Sequence, residues 1–184
     1  MPEIVALSDT HGMHDEISVP DGDILIHGGD VSRLGTLDEI RAFDDWMAGL
    51  PHRHKIVIAG NHDFSLEREP QKAEALLEHA RYLRDEEVVV EGLKIWGSPW
   101  TPEFFDWAFM LPRGEPLADK WSEIPDDVDV LVTHGPPRGI LDHTHTGKDA
   151  GCEELRRRVE QVAPALHIFG HIHEARGIEQ RGPT

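Results

Sequence analysis

The sequence predicts a layered α/β fold, in which mixed β-sheets pack against flanking helices, and three observations support this prediction. Short continuous runs of Val, Ile and Leu recur along the chain, which is typical of strands buried on both faces. Stretches with apolar residues at helical spacing separate several of these runs. Five of the runs end in Asp, Asn or His, and ligands of open α/β sheets bind at the carboxyl ends of the strands. We expect one domain over residues 1–184, with its functional site at those strand ends.

The predicted strands are the short apolar runs. They are residues 4–7, 24–26, 56–58, 88–90, 93–96, 130–132 and 166–169. Glu91 and Gly92 separate two of them, a spacing that is typical of an antiparallel hairpin. The order of strands and helices along the chain therefore predicts mixed strand directions.

Three helices are predicted between these strands. The first covers residues 36–50, where Thr36 and Glu39 form a capping-box pattern at the start. The second is expected to begin at Pro70, and its inward residues are predicted to be Leu76, Leu77 and Ala80. The third covers residues 151–163 and is followed by a proline that stops it.

Charge and cysteine content limit the classes of function. The chain has 35 acidic against 18 basic residues and a formal net charge of −17, which argues against the basic surface that duplex nucleic acid requires. Cys152 is the only cysteine, so no internal disulfide can form and a reducing compartment is favoured. No signal-peptide pattern opens the chain and no apolar run could span a bilayer, so we expect a cytoplasmic protein without a membrane partner.

The polar residues after five apolar runs are potential metal ligands. They are Asp9, His11, Asp30, Asn61, His62, Asp63, His134, His171 and His173. Because the ends of parallel strands lie along one edge of a sheet, we expect these side chains to converge. Oxygen and imidazole donors without thiolates suit first-row divalent metals, and there are more donors than one ion needs. The sequence therefore predicts a two-metal site.

The order of these motifs resembles the calcineurin-like metallophosphoesterases. The matching blocks are Asp9-x-His11, Gly29-Asp30, Gly60-Asn61-His62-Asp63, Thr133-His134-Gly135 and Gly170-His171-x-His173. Further stretches narrow the resemblance to the metallophosphoesterase-domain-containing subgroup, whose better-known members are brain-expressed phosphodiesterases. Those stretches include residues 97–102, 134–137 and 151–155. The resemblance covers nearly the whole chain.

The resemblance implies a ligand set for each of two divalent ions. The first ion would be held by Asp9, His11, Asp30 and His173. The second would be held by Asp30, Asn61, His134 and His171. Asp30 would bridge them, since its two oxygens can serve two cations. Mn, Fe, Zn, Co and Ni all accept such donors, so the identity of the metal stays open.

The resemblance also implies a mechanism. Solvent between the metals would lose its proton and attack phosphorus as hydroxide, while His62 would act as the general acid at the leaving-group oxygen. Asp63 would either orient the imidazole of His62 or cap a turn. Phosphoprotein phosphatases of the superfamily carry an Arg after the bridging Asp, but Arg33 lies one position too early to take that role.

A site without that cation favours the single charge of a phosphodiester, and the subgroup points to cyclic nucleotides, either 2′,3′ or 3′,5′. The expected partner is thus a small phosphodiester or nucleotide substrate. A phosphomonoesterase or nuclease of the same fold is the alternative enzyme. A metal-binding interaction scaffold without activity is the third reading, although the retained His62 argues against it.

Several other residues have two interpretations. Aromatic residues between 100 and 109 either plug the space under a long loop or stack on a base, and Trp100 is the best candidate for a pocket contact. His143 and His145 are expected in a solvated loop, and His27 is expected to be a packed residue. Family members usually continue past the last motif, whereas this chain stops soon after it. A truncation or a shortened natural form would explain this, and it leaves the oligomeric state open.

Overall fold

The computed structural model describes residues 2–180 and confirms the predicted α/β class. The strands are β1 (Ile4–Leu7), β2 (Ile24–His27), β3 (His54–Val57), β4 (Arg81–Tyr82), β5 (Glu86–Val90), β6 (Leu93–Ser98), β7 (Thr101–Pro102), β8 (Met110–Leu111), β9 (Val130–Thr133) and β10 (Leu166–Ile168). The helices are α1 (Leu37–Ala48), α2 (Phe64–Arg68), α3 (Pro70–Glu74), α4 (Glu115–Ser122) and α5 (Glu153–Val162). Residues 181–184, the end to which the predicted truncation refers, lie outside the described residues.

The strands form two four-stranded sheets and one small pair. The first sheet has the order β1-β2-β3-β4 and is parallel throughout. The second has the order β10-β9-β6-β5, with β9 parallel to both of its neighbours. Strands β5 and β6 are the predicted antiparallel hairpin. Glu91 and Gly92 at its tip have φ values of 50° and 82°, and positive φ at both central residues suits the twist of a tight hairpin.

The two sheets pack face to face, and helices cover their outer faces. Ile26 and Ile56 of the first sheet share one apolar cluster with Ile95 and Val132 of the second. On the outer side of the first sheet, α1 contributes a cluster that includes Ile40, Phe43 and Met47. On the outer side of the second, α4 and α5 contribute Leu117, Trp121 and Leu155. This four-layer arrangement explains why the sequences of β2 and β9 are almost entirely apolar, since every residue of these two strands is buried.

The predicted helices form with corrected bounds. Helix α1 has the capping box, because the Thr36 hydroxyl accepts from the Glu39 amide and the Glu39 carboxylate accepts from Thr36. Helix α5 begins after Cys152, so that residue is its N-cap, and its buried side chain packs in the same core cluster as Leu155. Helix α3 ends at Glu74, and the prediction of a longer helix was wrong. The residues assigned to its inward face instead pack beyond its end, and they are Leu76, Leu77 and Ala80.

The sheets bring the ends of β1, β2, β3, β9 and β10 to one edge. The loop after β1 bonds to the loop after β2, with Asp9 N–H donating to the Gly29 carbonyl at 2.9 Å and His11 N–H to the Asp30 carbonyl at 3.0 Å. Gly170 N–H after β10 donates to the His134 carbonyl after β9, also at 2.9 Å. Within residues 2–180, no helix is both long and apolar enough to cross a membrane.

Candidate metal centre

Four of the predicted ligands lie in a backbone conformation that few residues adopt. Asp9, His11, Asp30 and His171 have φ values of 56°, 45°, 55° and 69°. Asp and His tolerate this left-handed region better than most residues, but each such position still costs some stability. Strain of this kind persists only where the surrounding structure fixes the backbone, so the loops that carry these four residues are held in one shape.

The first group of ligand atoms comes from the loops after β1 and β10. The Nε2 atom of His173 lies 3.2 Å from Oδ1 of Asp9 and 3.2 Å from Nε2 of His11. Nε2 of His11 is in turn 3.8 Å from Oδ2 of Asp30. All four residues predicted for the first ion, including the carboxylate predicted to bridge the two ions, therefore lie close together.

The second group lies deeper, and Asp30 connects it to the first. The Oδ2 atom of Asp30 is 3.4 Å from Nε2 of His134. The amide oxygen of Asn61 lies 3.0 Å from the same imidazole nitrogen and 2.7 Å from Nδ1 of His171. The carbonyl of Gly28 holds the other nitrogen of His134 at 2.9 Å, which leaves Nε2 directed at the group. All seven predicted ligands therefore converge around the carboxylate of Asp30.

The chemistry of this donor set fits divalent cations. Asp9, His11 and His173 each offer one ligand atom, and these atoms lie within 4.8 Å of one another. The same holds for the atoms that Asp9, Asp30 and His134 offer. Imidazole nitrogens that face each other at 3.2 Å need a proton or a cation between them. His11, Asp30 and His62 form a third such group, so Asp30 belongs to two of the three candidate groups for a cation.

The charges of the site are strongly coupled. Burial alone lowers the pKa of His134, but the charge of Asp30 overrides it and raises this pKa to about 10. Burial raises the pKa of Asp30, but the charge of His134 more than reverses this, so the carboxyl stays ionised. Burial lowers the pKa of His171 to about 4, so its imidazole is neutral near pH 7 and free to act as a ligand. A metal ion must therefore compete with the proton on His134.

This coupling predicts the pH dependence of the metal-free protein. Folding raises the pKa of His134 above its ordinary value of about 6.5. The charged pair of His134 and Asp30 therefore contributes its full stabilisation of the fold below about pH 6.5. The contribution is lost as the pH rises through about 10. We expect the urea midpoint of the metal-free wild type to fall more between pH 7 and 10 than that of His134→Gln. An equal decline in the two proteins would mean that this pair does not stabilise the fold.

His62 lies beside the two ligand groups and is held by the backbone. Its Nδ1 donates to the Arg33 carbonyl at 2.9 Å, and its own amide donates to Oδ1 of Asp30 at 2.8 Å. Its ring is edge-on to His11, with the centroids 4.6 Å apart. Nδ1 is occupied by the Arg33 carbonyl, so Nε2 of His62 remains for contact with a substrate. One nitrogen of this ring lies within 4.8 Å of ligand atoms of His11 and Asp30.

Asp63 does not orient His62, and this half of the prediction is corrected. Its buried carboxylate accepts from the backbone amides of Gly60, Val31 and Ser32 at 2.8, 3.3 and 2.9 Å, and from the Ser32 hydroxyl at 2.6 Å. It thus ties together the loops that carry Asp30 and Asn61. Burial, with the charge of Asp30 added, raises the pKa of Asp63 to about 6. The Nδ1 proton of His62, which Asp63 was expected to accept, is donated to the Arg33 carbonyl instead. Asp63 therefore fixes the ligand loops and not the imidazole of His62.

The sequence pointed to the wrong tryptophan. The indole N–H of Trp100 donates to Asp85 at 2.9 Å, and its ring packs edge-on against Phe109, as expected for the plug under a loop. Trp107 instead lies against His62, with ring centroids 4.4 Å apart. Both residues belong to the aromatic stretch that the sequence singled out, but no periodicity exists in a loop to show which ring faces the site.

Three further histidines lie where the sequence predicts them. His27 is fully buried, and its imidazole is hydrogen-bonded to the Thr10 hydroxyl at 3.1 Å. It therefore helps to hold the loop that carries Asp9 and His11. His143 and His145 lie in an exposed loop, where they pair with Asp149 and Glu174 at 2.9 and 2.8 Å.

The four-layer fold and this cluster of Asp, Asn and His define a metallophosphoesterase architecture. The sequence pattern of the calcineurin-like phosphoesterases matches residues 2–175, and the chain belongs to that family. It is 43% identical, over 98% of its length, to human metallophosphoesterase domain-containing protein 1, and it spans 63% of that relative. A UPF0046 protein of Caenorhabditis elegans is 36% identical over 99% of the chain and 67% of its own length. The predicted family and subgroup are thereby confirmed.

A solved structure is similar in fold alone. The crystal structure of TT1561 of Thermus thermophilus aligns with 91% of this chain and 80% of its own, with a TM-score of 0.61 and 17% identity. That likeness supports the arrangement of sheets and helices described above. It carries no information on the reaction.

Proposed function

We propose that the chain is a phosphodiesterase that uses two divalent metals and acts on cyclic nucleotides. The family supports a phosphoesterase activity. The observation that carries the more specific proposal is the position of Asp30, whose Oδ2 lies 3.8 Å from Nε2 of His11 and 3.4 Å from Nε2 of His134. One carboxylate between two groups of imidazoles is the arrangement that a shared pair of ions requires.

Each ion has its own set of residues in this proposal. Asp9, His11, Asp30 and His173 would hold the first. Asp30, Asn61, His134 and His171 would hold the second. When bound, such ions supply charge stabilisation at the phosphoryl oxygens and lower the pKa of coordinated water. The rest of the proposal concerns what the side chains of this chain do.

His62 would protonate the leaving-group oxygen. The Arg33 carbonyl fixes the ring through Nδ1, so the other nitrogen carries the transferable proton. The bond from the His62 amide to Asp30 sets the distance between this imidazole and the bridging carboxylate. A general acid must lie within hydrogen-bond reach of the atom that it protonates, and the backbone fixes His62 at the edge of the metal groups for this role.

The charge of the site favours a diester. Within residues 2–180, no Lys or Arg side chain forms an ion pair or hydrogen bond with the predicted ligands, His62 or Asp63. Arg33 contacts His62 only through its backbone carbonyl, and its side chain is exposed. A phosphomonoester dianion would lack a second fixed cation there, whereas a diester carries one charge. The net charge of −17 likewise disfavours a duplex nucleic acid as substrate.

The proposed setting is a reducing, cytoplasmic one. Cys152 is buried as a free thiol at the start of α5, where the Trp121 indole donates to its sulfur at 3.3 Å. Burial raises the pKa of this thiol, which keeps it protonated and unreactive. A chain without an internal disulfide does not need an oxidising compartment.

The direct test is a hydrolysis screen of protein reconstituted with Mn²⁺, Zn²⁺ or Fe²⁺. We expect turnover of 2′,3′- or 3′,5′-cyclic nucleotides at a kcat/KM above that for an aryl phosphate monoester, and its loss after chelation. Faster hydrolysis of the monoester would favour a phosphomonoesterase, and faster hydrolysis of linear DNA or RNA would favour a nuclease. Metal-loaded protein that cleaves none of these esters would favour an interaction scaffold.

A further inference from the structure

One wall of the candidate site is built from aromatic rings. The indole of Trp107 lies 4.4 Å from the imidazole of His62 between centroids, with the planes tilted by 41°. The ring of Phe64 stacks near the same indole at 5.9 Å and 27°. The guanidinium of Arg68 lies over the ring of Phe64, 4.5 Å from its centroid, at the far end of this series of rings. Trp107 is thus the aromatic residue nearest to the proposed general acid.

The position of Trp107 is fixed relative to the ligand loops. The amide of the next residue, Ala108, donates to the carbonyl of Asn61 at 3.1 Å. The amide of Phe109 donates to the Glu67 carboxylate at 2.6 Å, and its carbonyl accepts from Thr101 at 2.9 Å. The backbone on one side of the indole is therefore anchored to a predicted metal ligand and to the strand pair β7–β8.

The same loop leaves apolar rings in solvent. Phe104 and Phe105 are 61% and 76% exposed and pack edge-on against each other at 4.4 Å. Trp107 itself is only partly buried, although it borders the core residues Ala108 and Phe109. The loop that carries Trp107 therefore presents exposed apolar rings, and surfaces of this kind bind partners with an apolar face.

A purely structural role for the indole is weaker than a binding role. The orientation of His62 is already determined by two backbone contacts, those to Arg33 and Asp30. The indole N–H of Trp107 forms no hydrogen bond within the described residues, unlike that of Trp100, which donates to Asp85. The part of the Trp107 ring that His62 and Phe64 leave uncovered is exposed, and this part is open to a ligand.

We propose that Trp107 determines specificity by stacking on the base of a nucleotide held at the metal centre. The inference rests on the proposed function, which places the leaving-group oxygen of the ester at His62. Because Trp107 lies against His62, the ribose and base of the nucleotide would then lie next to Trp107. Aromatic side chains stack on any base, so this contact favours esters that carry a base over esters that do not, with little preference among bases.

The test compares ligands that differ only in the base. Binding of adenosine 5′-monophosphate and of ribose 5-phosphate to Mn²⁺-loaded protein is measured by calorimetry. We expect the wild type to bind the nucleotide about 5- to 100-fold more tightly, in line with the known strength of base stacking. Trp107→Leu should bind the two ligands with equal affinity, and Trp107→Phe should retain most of the preference for the nucleotide. Trp100→Leu, which removes an indole from the same segment, should leave the ratio unchanged.

Hydrolysis separates this inference from the function on which it rests. A cyclic adenosine phosphate and the corresponding methyl riboside cyclic phosphate share the scissile ester, and Trp107→Leu should lower kcat/KM for the first alone. Equal slowing of both would show that the indole only supports His62 and would overturn the inference. Equal binding of the two monophosphates by the wild type would overturn it as well, even if cyclic esters are hydrolysed. If the wild type binds adenosine 5′-monophosphate more tightly than ribose 5-phosphate but hydrolyses no ester, the proposed function would be contradicted. The nucleotide-binding role of Trp107 would then be supported.

Discussion

Replacing His62 with alanine should slow the hydrolysis of an unactivated phosphodiester by ~100- to 10,000-fold, the range expected for loss of a general acid. The metal content should not change, because His62 belongs to neither predicted ligand set. Cyclic nucleotides have alkoxide leaving groups that need a proton, so the effect is largest with them. With a p-nitrophenyl diester the loss should be much smaller, since that leaving group departs without protonation.

The matched control is His54→Ala. His54 begins β3 at the end opposite to the site and pairs with Glu91 on the surface at 3.1 Å. Its removal should leave turnover close to that of the wild type for both leaving groups. If His62→Ala slowed both esters by the same factor, the imidazole would act on binding or on metal loading instead of on the leaving group. An unchanged rate with cyclic nucleotides would remove His62 from the mechanism.

Gly60→Ala should destroy the site while leaving most of the fold intact. A Cβ atom at this position would lie 2.2 Å from Oδ1 of Asp30, 2.4 Å from its amide nitrogen and 2.6 Å from Cε1 of His134. Such distances would displace the carboxylate of Asp30 and the imidazole of His134 from the positions they share. We expect loss of at least one metal ion per chain, activity at background level, and a destabilisation of about 1–3 kcal/mol, as for other overpacked interiors.

Gly49→Ala provides the comparison for this steric argument. Gly49 follows α1 with a φ of −76°, and the nearest atom to an added Cβ is the Trp46 carbonyl oxygen at 3.4 Å. Metal content, activity and urea midpoint of this variant should match the wild type. Full metal loading and activity in Gly60→Ala would show that Asp30 and His134 need not stay where the structure places them.

The convergence of the candidate ligands could be predicted from sequence because their positions follow from strand ends. A parallel sheet brings the carboxyl ends of its strands to one edge, so the apolar runs before Asp9, Asp30 and Asn61 indicate convergence. The second sheet supplies His134 and His171 in the same way. The pairing of individual donors to each ion was implied by the family resemblance, and the geometry is compatible with it.

Other parts of the site could not be predicted from local pattern. Asp63 lies within a recognised motif, but whether its carboxylate faces an imidazole or backbone amides depends on loops that meet only in the fold. Trp107 and Trp100 lie in one irregular segment, and loop conformation alone determines which ring reaches His62. Helix α4 was missed because it is short and begins after Gly114 with a proline in its first turn.

The fold was predictable to a similar degree and for related reasons. Continuous apolar runs identified the buried strands, and the capping box located α1. Strand β4 has two residues, Arg81 and Tyr82, and pairs with the edge of the first sheet through tertiary contacts that no local pattern shows. Elements of this length are determined by their neighbours and not by their own composition.

The most direct test of the central claim is the metal stoichiometry of the wild type. The chain is reconstituted with Mn²⁺, freed of loosely bound ions and measured by elemental analysis, with electron paramagnetic resonance on the same sample. We predict two ions per chain with the exchange coupling expected of ions bridged by Asp30, and a fall towards one ion in Asn61→Ala. One ion per chain in the wild type, or two ions without coupling, would contradict the shared site around Asp30.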